Sequence, residues 1–325
     1  MTTMTSNTPD PKLDLKTHPL GRSILDRIGN TPMVRLERLV AHLPGITLLA
    51  KGEFANPGGS VKDRPASYIV KDAFARGELG PSRPGRGLLD ATSGNTGIAY
   101  AMLGAALQFP VTLCMPSNVS PERKKILTAY GASIQWSAPD EGSDGAIRLA
   151  RKLSSESGDE FYYADQYGND NNWRSHYETT AEEIWFQTEG RVTHFVAGLG
   201  TSGTFTGTTR RLRELNREIK CISMQPDSPF NGLEGLKHMP TAIVPPIYDE
   251  TLADRNLWAD TEVAYGMAKR LGREEGILVG ISAASNVATA LKIAEEEHAA
   301  GREAVIVTIL CDGADKYLSE RFWTE

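Results

Sequence analysis

The sequence predicts an α/β protein of two domains, each a mostly parallel twisted sheet flanked by helices. Three observations carry this expectation. The chain has 325 residues, long for one domain and comfortable for two. Short apolar runs alternate with amphipathic stretches along most of it, the pattern of strand–helix–strand units with parallel strands. Residues 167–175 (YGNDNNWRS) interrupt that pattern with polar, turn-forming side chains, as a boundary between two α/β layers would.

The strands are read from runs of four to seven residues, in order 46–51 (ITLLAK), 87–91 (GLLDA), 111–115 (VTLCM), 133–136 (SIQW), 193–199 (THFVAGL), 220–225 (KCISMQ) and 304–310 (AVIVTIL). Residues 61–75, 97–107, 143–153, 261–274 and 283–297 are longer, carry helical spacing and read as helices. Residues 226–251 are irregular and rich in Pro and Gly. They follow a strand, where open α/β sheets carry ligand loops.

Composition excludes several classes. Apolar residues make up 40% and charged residues 23%, ordinary for a globular protein. No apolar run approaches the roughly 20 residues that span a bilayer. The net charge of −6 argues against nucleic acid as a partner. Residues 1–17 are polar, hold no signal-like apolar core and read as a loose, disordered tail. The three cysteines, Cys114, Cys221 and Cys311, show no CxxC spacing, which points to a reducing cytoplasm without disulfides. The six histidines show no metal-ligand spacing, so no metal is expected. His176 and Cys311 read as structural, the latter near the pocket.

Three clusters carry chemistry. In residues 56–64 (NPGGSVKDR) a Gly-rich turn feeds a helix with Lys62 in its first turn, where the helix dipole disfavours a charged ammonium. Residues 92–97 (TSGNTG) follow a strand and open an apolar helix, so hydroxyls and N–H groups converge on an anion site sized for a small carboxylate. Residues 198–204 (GLGTSGT) match G-x-G-x-x-G, which makes dinucleotide binding a rival reading. That fingerprint wants an acid at the end of the next strand, yet this strand ends at Gln225 and Asp227 lies beyond a proline. Three hydroxyl residues, Thr201, Ser202 and Thr204, suit a phosphate monoester better.

Taken together, the clusters resemble the cysteine synthase family of pyridoxal-phosphate enzymes, of fold type II. The resemblance runs from Gly21 to Ser319, through Ile28-Gly29-Asn30-Thr31-Pro32-Met33-Val34, NPGGSVKDR, TSGNTG, GLGTSGT and DGADKYLS. His176-Tyr177, Glu183-Ile184-Trp185, GTSGT in place of GTGGT and Cys311-Asp312 are similar to the cysteine synthase B branch.

The resemblance implies a transferase of the O-acetylserine sulfhydrylase type with pyridoxal 5'-phosphate as cofactor. Lys62 is implied as the Schiff-base lysine, Asn95 as the neighbour of the ring hydroxyl, and Ser282 as the partner of the pyridine nitrogen. Gly200, Thr201, Ser202, Gly203 and Thr204 are implied to wrap the cofactor phosphate. Thr92, Ser93, Gly94, Asn95, Thr96 and Gln166 are implied to hold the substrate carboxylate. A neutral Ser beside the ring nitrogen makes a weaker electron sink than an Asp and favours β-elimination. The implied cycle is ping-pong: Lys62 removes the α-proton as the β-substituent leaves, a sulfur nucleophile adds at Cβ, and Lys62 returns the proton. Asp227 stands where phosphoserine-using relatives carry an arginine, which favours O-acetylserine over O-phosphoserine.

Two departures accompany the resemblance. Relatives read Gly-Ile-Ser-Ser/Thr-Gly where this chain has Gly280-Ile281-Ser282-Ala283-Ala284, and Thr180-Ala181 replaces a frequent Gly-Pro pair. The expected organisation is a smaller mobile domain at 57–168 and a larger phosphate-binding domain from 18–56 plus 169–325. Expected partners are an amino-acid substrate, a sulfur donor and a second copy of the chain in a homodimer. Sulfide, thiosulfate and a thiocarboxylated sulfur-carrier protein stay open as sulfur sources, as do a non-sulfur nucleophile and O-phosphoserine as alternatives. A catalytically idle binding protein is the rival from another class.

Overall fold

The computed structural model describes residues 23–324; the expected tail at 1–17 lies outside them. Two sheets organise the chain. The larger has six strands in the order β1 (Met33–Arg35), β2 (Ile46–Gly52), β10 (Ala304–Leu310), β7 (His194–Gly198), β8 (Lys220–Pro226) and β9 (Arg255–Ala259). The smaller runs β5 (Ser133–Ser137), β4 (Val111–Pro116), β3 (Gly87–Ala91), β6 (Phe161–Tyr163), so all four of its strands fall between residues 87 and 163. Every pairing is parallel except β1 with β2.

Burial explains which strands the sequence advertises. Strand β10 sits between β2 and β7, and a strand covered on both faces reads as a continuous apolar run. Strands β3 and β4 are wholly buried and equally legible. Three strands escape the sequence pattern. Strands β1 and β6 have three residues each, and β9 is an edge strand with mostly exposed side chains, so none forms an apolar run.

Helices α1 (Asp63–Ala75) and α2 (Asn95–Leu107) pack together and share one core with β3 and β4. Helix α2 buries nine consecutive residues from Thr96 to Gly104, as an all-round apolar helix must. Helix α3 (Pro121–Ala129) follows β4, capped by Ser120, and α4 (Gly142–Glu156) covers β3 and β4. Helix α9 (Ile281–Ala299) packs on β2 and β10, and α8 (Thr261–Arg270) packs on α9, in the largest core.

Several expectations need correction. The expected helix 61–75 begins at Asp63, so Lys62 is its N-cap rather than a first-turn residue; its N–H is taken by Ser60 Oγ at 3.2 Å. The expected helix 261–274 ends at Arg270 and continues as a π-turn, Leu271–Glu275. The turn-rich stretch 167–175 holds a short helix, α5 (Asp170–Ser175), because the Asn169 side chain caps it on the N–H of Asn171. A π-turn (His176–Thr180) and α6 (Ala181–Gln187) continue it. Helix α7 (Gly203–Leu215) follows β7.

A buried ionic cluster ties the elements beneath the first motif. Arg64 on α1 donates to Glu53 Oε1 and Oε2 at 2.8 and 2.7 Å and to Glu183 Oε1 and Oε2 at 2.6 and 2.8 Å. Lys51 on β2 meets the same Glu183 at 2.5 Å. The charges balance, two cations against two carboxylates, which is the condition for burying them.

Candidate active site

The C-terminal ends of β3, β7 and β10 converge on one cleft, where open parallel sheets place their ligand loops. Its non-atom space is about 940 Å³, open solvent at the mouth included. Lys62, Thr92, Ser93, Gly94, Asn95, Thr96, Gln166, Gly200, Thr201, Ser202, Thr204 and Ser282 all line it.

Lys62 is half-buried at the start of α1, on a segment held from both sides. Asn56 donates through Nδ2 to Glu53 and to Ser60 O, Val61 N–H donates to Cys311 O at 2.8 Å, and Lys316 Nζ donates to Gly59 O at 3.1 Å. Among the described residues no carboxylate pairs with Lys62, so its amine is left for chemistry in the cleft.

The second motif folds as a tight turn that opens a helix. Thr92 Oγ1 accepts from the N–H groups of Gly94 and Gly97 at 3.0 and 3.2 Å. Helix α2 starts at Asn95 with no side-chain cap, so the N–H groups of Asn95 and Thr96 lack intrahelical acceptors. Gln166 is locked beside them: its Oε1 accepts from Thr96 Oγ1 at 2.7 Å and its Nε2 donates to Ala91 O at 2.5 Å. Asn95 turns toward the other sheet, its Nδ2 donating to Asp312 Oδ2 at 2.7 Å, while its Oδ1 is buried without a partner. Tyr317 donates to the same Asp312 oxygen at 2.7 Å.

The third motif is a second helix N-terminus. Ser202 caps α7 in the left-handed region at φ 69, unusual for a residue other than Gly, Asn or Asp, and its Oγ is buried without a partner. A Cβ on Gly200 would lie 2.2 Å from Gly235 O, so only glycine allows this approach. Gly203 does not line the cleft; it packs under the loop, where a Cβ would meet Asn172 Oδ1 at 1.9 Å. The unpaired hydroxyl and the free N–H groups of a 13-residue helix suit a phosphate.

Ser282 lies in the first turn of α9, whose N-cap is Gly280, so its hydroxyl is not the cap. Ala283 and Ala284 are fully buried, and the departure from the family pattern leaves α9 regular. Cys311 lines the cleft beside Asn286, and burial pushes its thiol up to about 11, away from the thiolate a nucleophile needs. Burial, then the charge of Arg64, pulls His176 down to about 3, and its ring meets Thr180 Oγ1 and Thr204 Oγ1. Among the described residues no group of His, Cys, Asp and Glu is arranged to hold a metal, and no helix is long and apolar enough to cross a membrane.

Asp227, like Gly203, is a predicted residue outside the cleft wall. It is exposed and absent from the cleft wall, because its N–H extends the sheet by donating to Ala259 O at 3.0 Å. The part of that loop that reaches the cleft is Glu234, Gly235, Leu236 and Lys237. Sequence reading missed Glu234 and Arg123. Arg123 sits in PERKKILTA, a run with the look of a solvated helix, so no local signal marks it. Asn286, also missed, ties two strand ends together: its Oδ1 accepts from Gly198 N–H and its Nδ2 donates to Ile309 O, both at 2.8 Å.

Several known proteins are similar to this chain along most of its length. The model of the family described as pyridoxal-phosphate dependent enzyme matches residues 24–312. A cysteine synthase of Aquifex aeolicus (strain VF5) is 47% identical over 305 residues, 93% of this chain and 92% of that protein. Cysteine synthase B of Pseudomonas aeruginosa is 42% identical over 297 residues, 91% of this chain and 96% of that protein. The crystal structure of an O-ureido-L-serine synthase superposes with a TM-score of 0.86 at 38% identity, covering 94% of this chain and 96% of that one.

Proposed function

Because the chain belongs to the family of pyridoxal-phosphate dependent enzymes, we propose that it replaces the β-substituent of O-acetylserine with a sulfur nucleophile, giving L-cysteine or S-sulfocysteine. The observation that carries this reading is one unpaired lysine in a cleft faced by two helix N-termini. One N-terminus suits a phosphate and the other a carboxylate.

In this reading the N-terminus of α7, with Thr201, Ser202 and Thr204, would hold the cofactor phosphate, and Lys62 would hold the cofactor covalently through its amine. Asn95 would face the ring oxygen and Ser282 the ring nitrogen. When bound, the cofactor supplies the electron sink for loss of the α-proton and the β-substituent. The work left to the chain is to bind, orient and move one proton. The Thr92–Thr96 turn and Gln166 grip the α-carboxylate, and the Lys62 amine takes the α-proton and later returns it. Movement of 57–168 against the larger sheet would exclude water from the reacting carbons. The protein would work as a homodimer in a reducing cytoplasm.

A β-substituent that is uncharged while attached, such as acetoxy, is favoured over a phosphate because the two other cations among the described residues of the cleft wall, Arg123 and Lys237, already face Glu234 and Asp144. A second reading, replacement by a non-sulfur nucleophile, draws on the likeness to the O-ureido-L-serine synthase. The test is turnover with O-acetylserine and O-phosphoserine, each with sulfide, thiosulfate and hydroxyurea, alongside the visible absorbance of the bound cofactor. We expect O-acetylserine with a sulfur nucleophile to give the highest kcat/KM, and Lys62→Ala to lose both turnover and the lysine-bound absorbance band. Wild-type turnover surviving in Lys62→Ala would refute the mechanism, and a preference for hydroxyurea would select the second reading.

A further inference from the structure

We infer that Arg123 recognises the substrate carboxylate and that Glu234 occupies its guanidinium until the substrate arrives. The inference rests on the reading of the Thr92–Thr96 turn as the carboxylate site.

Arg123 is 3% exposed, on α3, in the cleft wall. A guanidinium that deep persists only with partners. On one side its Nη1 stands 2.5 Å from Glu234 Oε2; on another the guanidinium carbon is 4.8 Å from the centre of the Tyr317 ring. The third side, which carries Nε, faces the turn at Gly94. Nε is buried and has no acceptor. A Cβ on Gly94 would lie 2.7 Å from that Nε, so the orphaned donor rests directly on the turn that opens α2. There the free N–H groups of Asn95 and Thr96 already favour an anion, and a buried guanidinium beside them adds a full charge.

The neighbouring ion pair shows why Glu234 is the exchangeable partner. Lys237, on the same loop, is 5% exposed and pairs with Asp144 on α4 at 2.5 Å. The second Asp144 oxygen accepts the N–H of Ile243 at 2.7 Å, and the Lys237 ammonium lies 5.0 Å from the centre of the Tyr167 ring. Both carboxylate oxygens are used, so this pair pins the loop. Glu234 differs: its side chain is 40% exposed, and its Oε2 is buried without a well-directed hydrogen bond despite the short contact to Arg123. It is held through this one contact to Arg123. A substrate carboxylate entering on the turn replaces one carboxylate by another, so the net charge around Arg123 is conserved while the hydrogen bonds improve.

Titration calorimetry of the holoenzyme with acetate, and with acetamide as the neutral isostere, tests this. Removing the competing charge in Glu234→Gln tightens acetate by about fivefold, the value of one exposed ion pair. Arg123→Gln weakens acetate by at least about tenfold. The double variant equals Arg123→Gln, and acetamide binding is the same in all four proteins. Unchanged or weaker acetate binding in Glu234→Gln overturns the inference. So does a gain that persists without Arg123, or one shared by acetamide. Because Glu234 is partly exposed and its variant is expected to gain affinity, a folding defect cannot imitate the result. Failure of the proposed reaction is read separately, from turnover and the Lys62 absorbance band.

Discussion

Glu183→Gln removes one charge from the buried cluster beneath Lys62 and changes little else. The carboxylate is 13% exposed and accepts from Arg64, Lys51 and the N–H of Asn30. Burial pushes its pKa up, but the hydrogen bond and charge of Arg64, followed by those of Lys51, outweigh it and hold the group at about 2 instead of 4.5. At about 1.4 kcal/mol per unit, with some screening for its partial exposure, the ionised form adds about 2–3 kcal/mol of stability. The sign follows from the depressed value. The contribution is complete above 4.5 and is lost as pH falls toward about 2. In the variant, Lys51 and Arg64 face Glu53 alone, and losing one partner of a buried network costs about 3 kcal/mol. Lys51, whose pKa burial already lowers, limits the loss because it can shed its proton. Urea unfolding of the holoenzyme therefore shows Glu183→Gln about 2–3 kcal/mol less stable near neutral pH, with the gap closing as the solution is acidified below 4.5. A gap under about 1 kcal/mol, or one independent of pH, refutes the argument. The variant also releases cofactor more readily, since Arg64 lies two residues beyond Lys62 on the same helix start.

The buried neutral His176 makes stability fall with acidification in a higher window, from 6.5 toward about 3, by about 1.4 kcal/mol per pH unit. His176→Gln flattens that limb between 6.5 and 4.5, where Glu183 is silent; an unchanged slope in chemical denaturation contradicts it. Gly200→Ala forces a Cβ to within 2.2 Å of a backbone oxygen and so displaces the loop before α7. Cofactor affinity, measured by equilibrium dialysis, drops at least about tenfold, and wild-type affinity in this variant removes the loop from cofactor binding.

The α/β class, the central strands and the three motif loops were legible in the sequence because each is a local pattern. A strand buried on both faces is an unbroken apolar run, as in β10, and a loop before a helix N-terminus carries its own glycines and hydroxyls, as at 92–97 and 198–204. The edge strand β9 was not legible, since exposure on its faces erases the pattern that burial writes.

What only the tertiary structure decided are meetings between residues far apart in the chain. Arg123 finds Glu234 across 111 positions, Asn95 finds Asp312 across 217, and Arg64 finds Glu183 across 119. None has a local signature, because a buried charge is stable through the partner that packing brings to it rather than through its neighbours in sequence. Asp227 shows the same limit from the other side. Its position after a strand pointed to the cleft, yet one more backbone bond to β9 carried it to the surface and left Glu234 and Lys237 to form the wall. Sequence thus sets which loops can bind, through periodicity and helix ends, whereas the charges that surround a ligand are set by how two sheets close on each other.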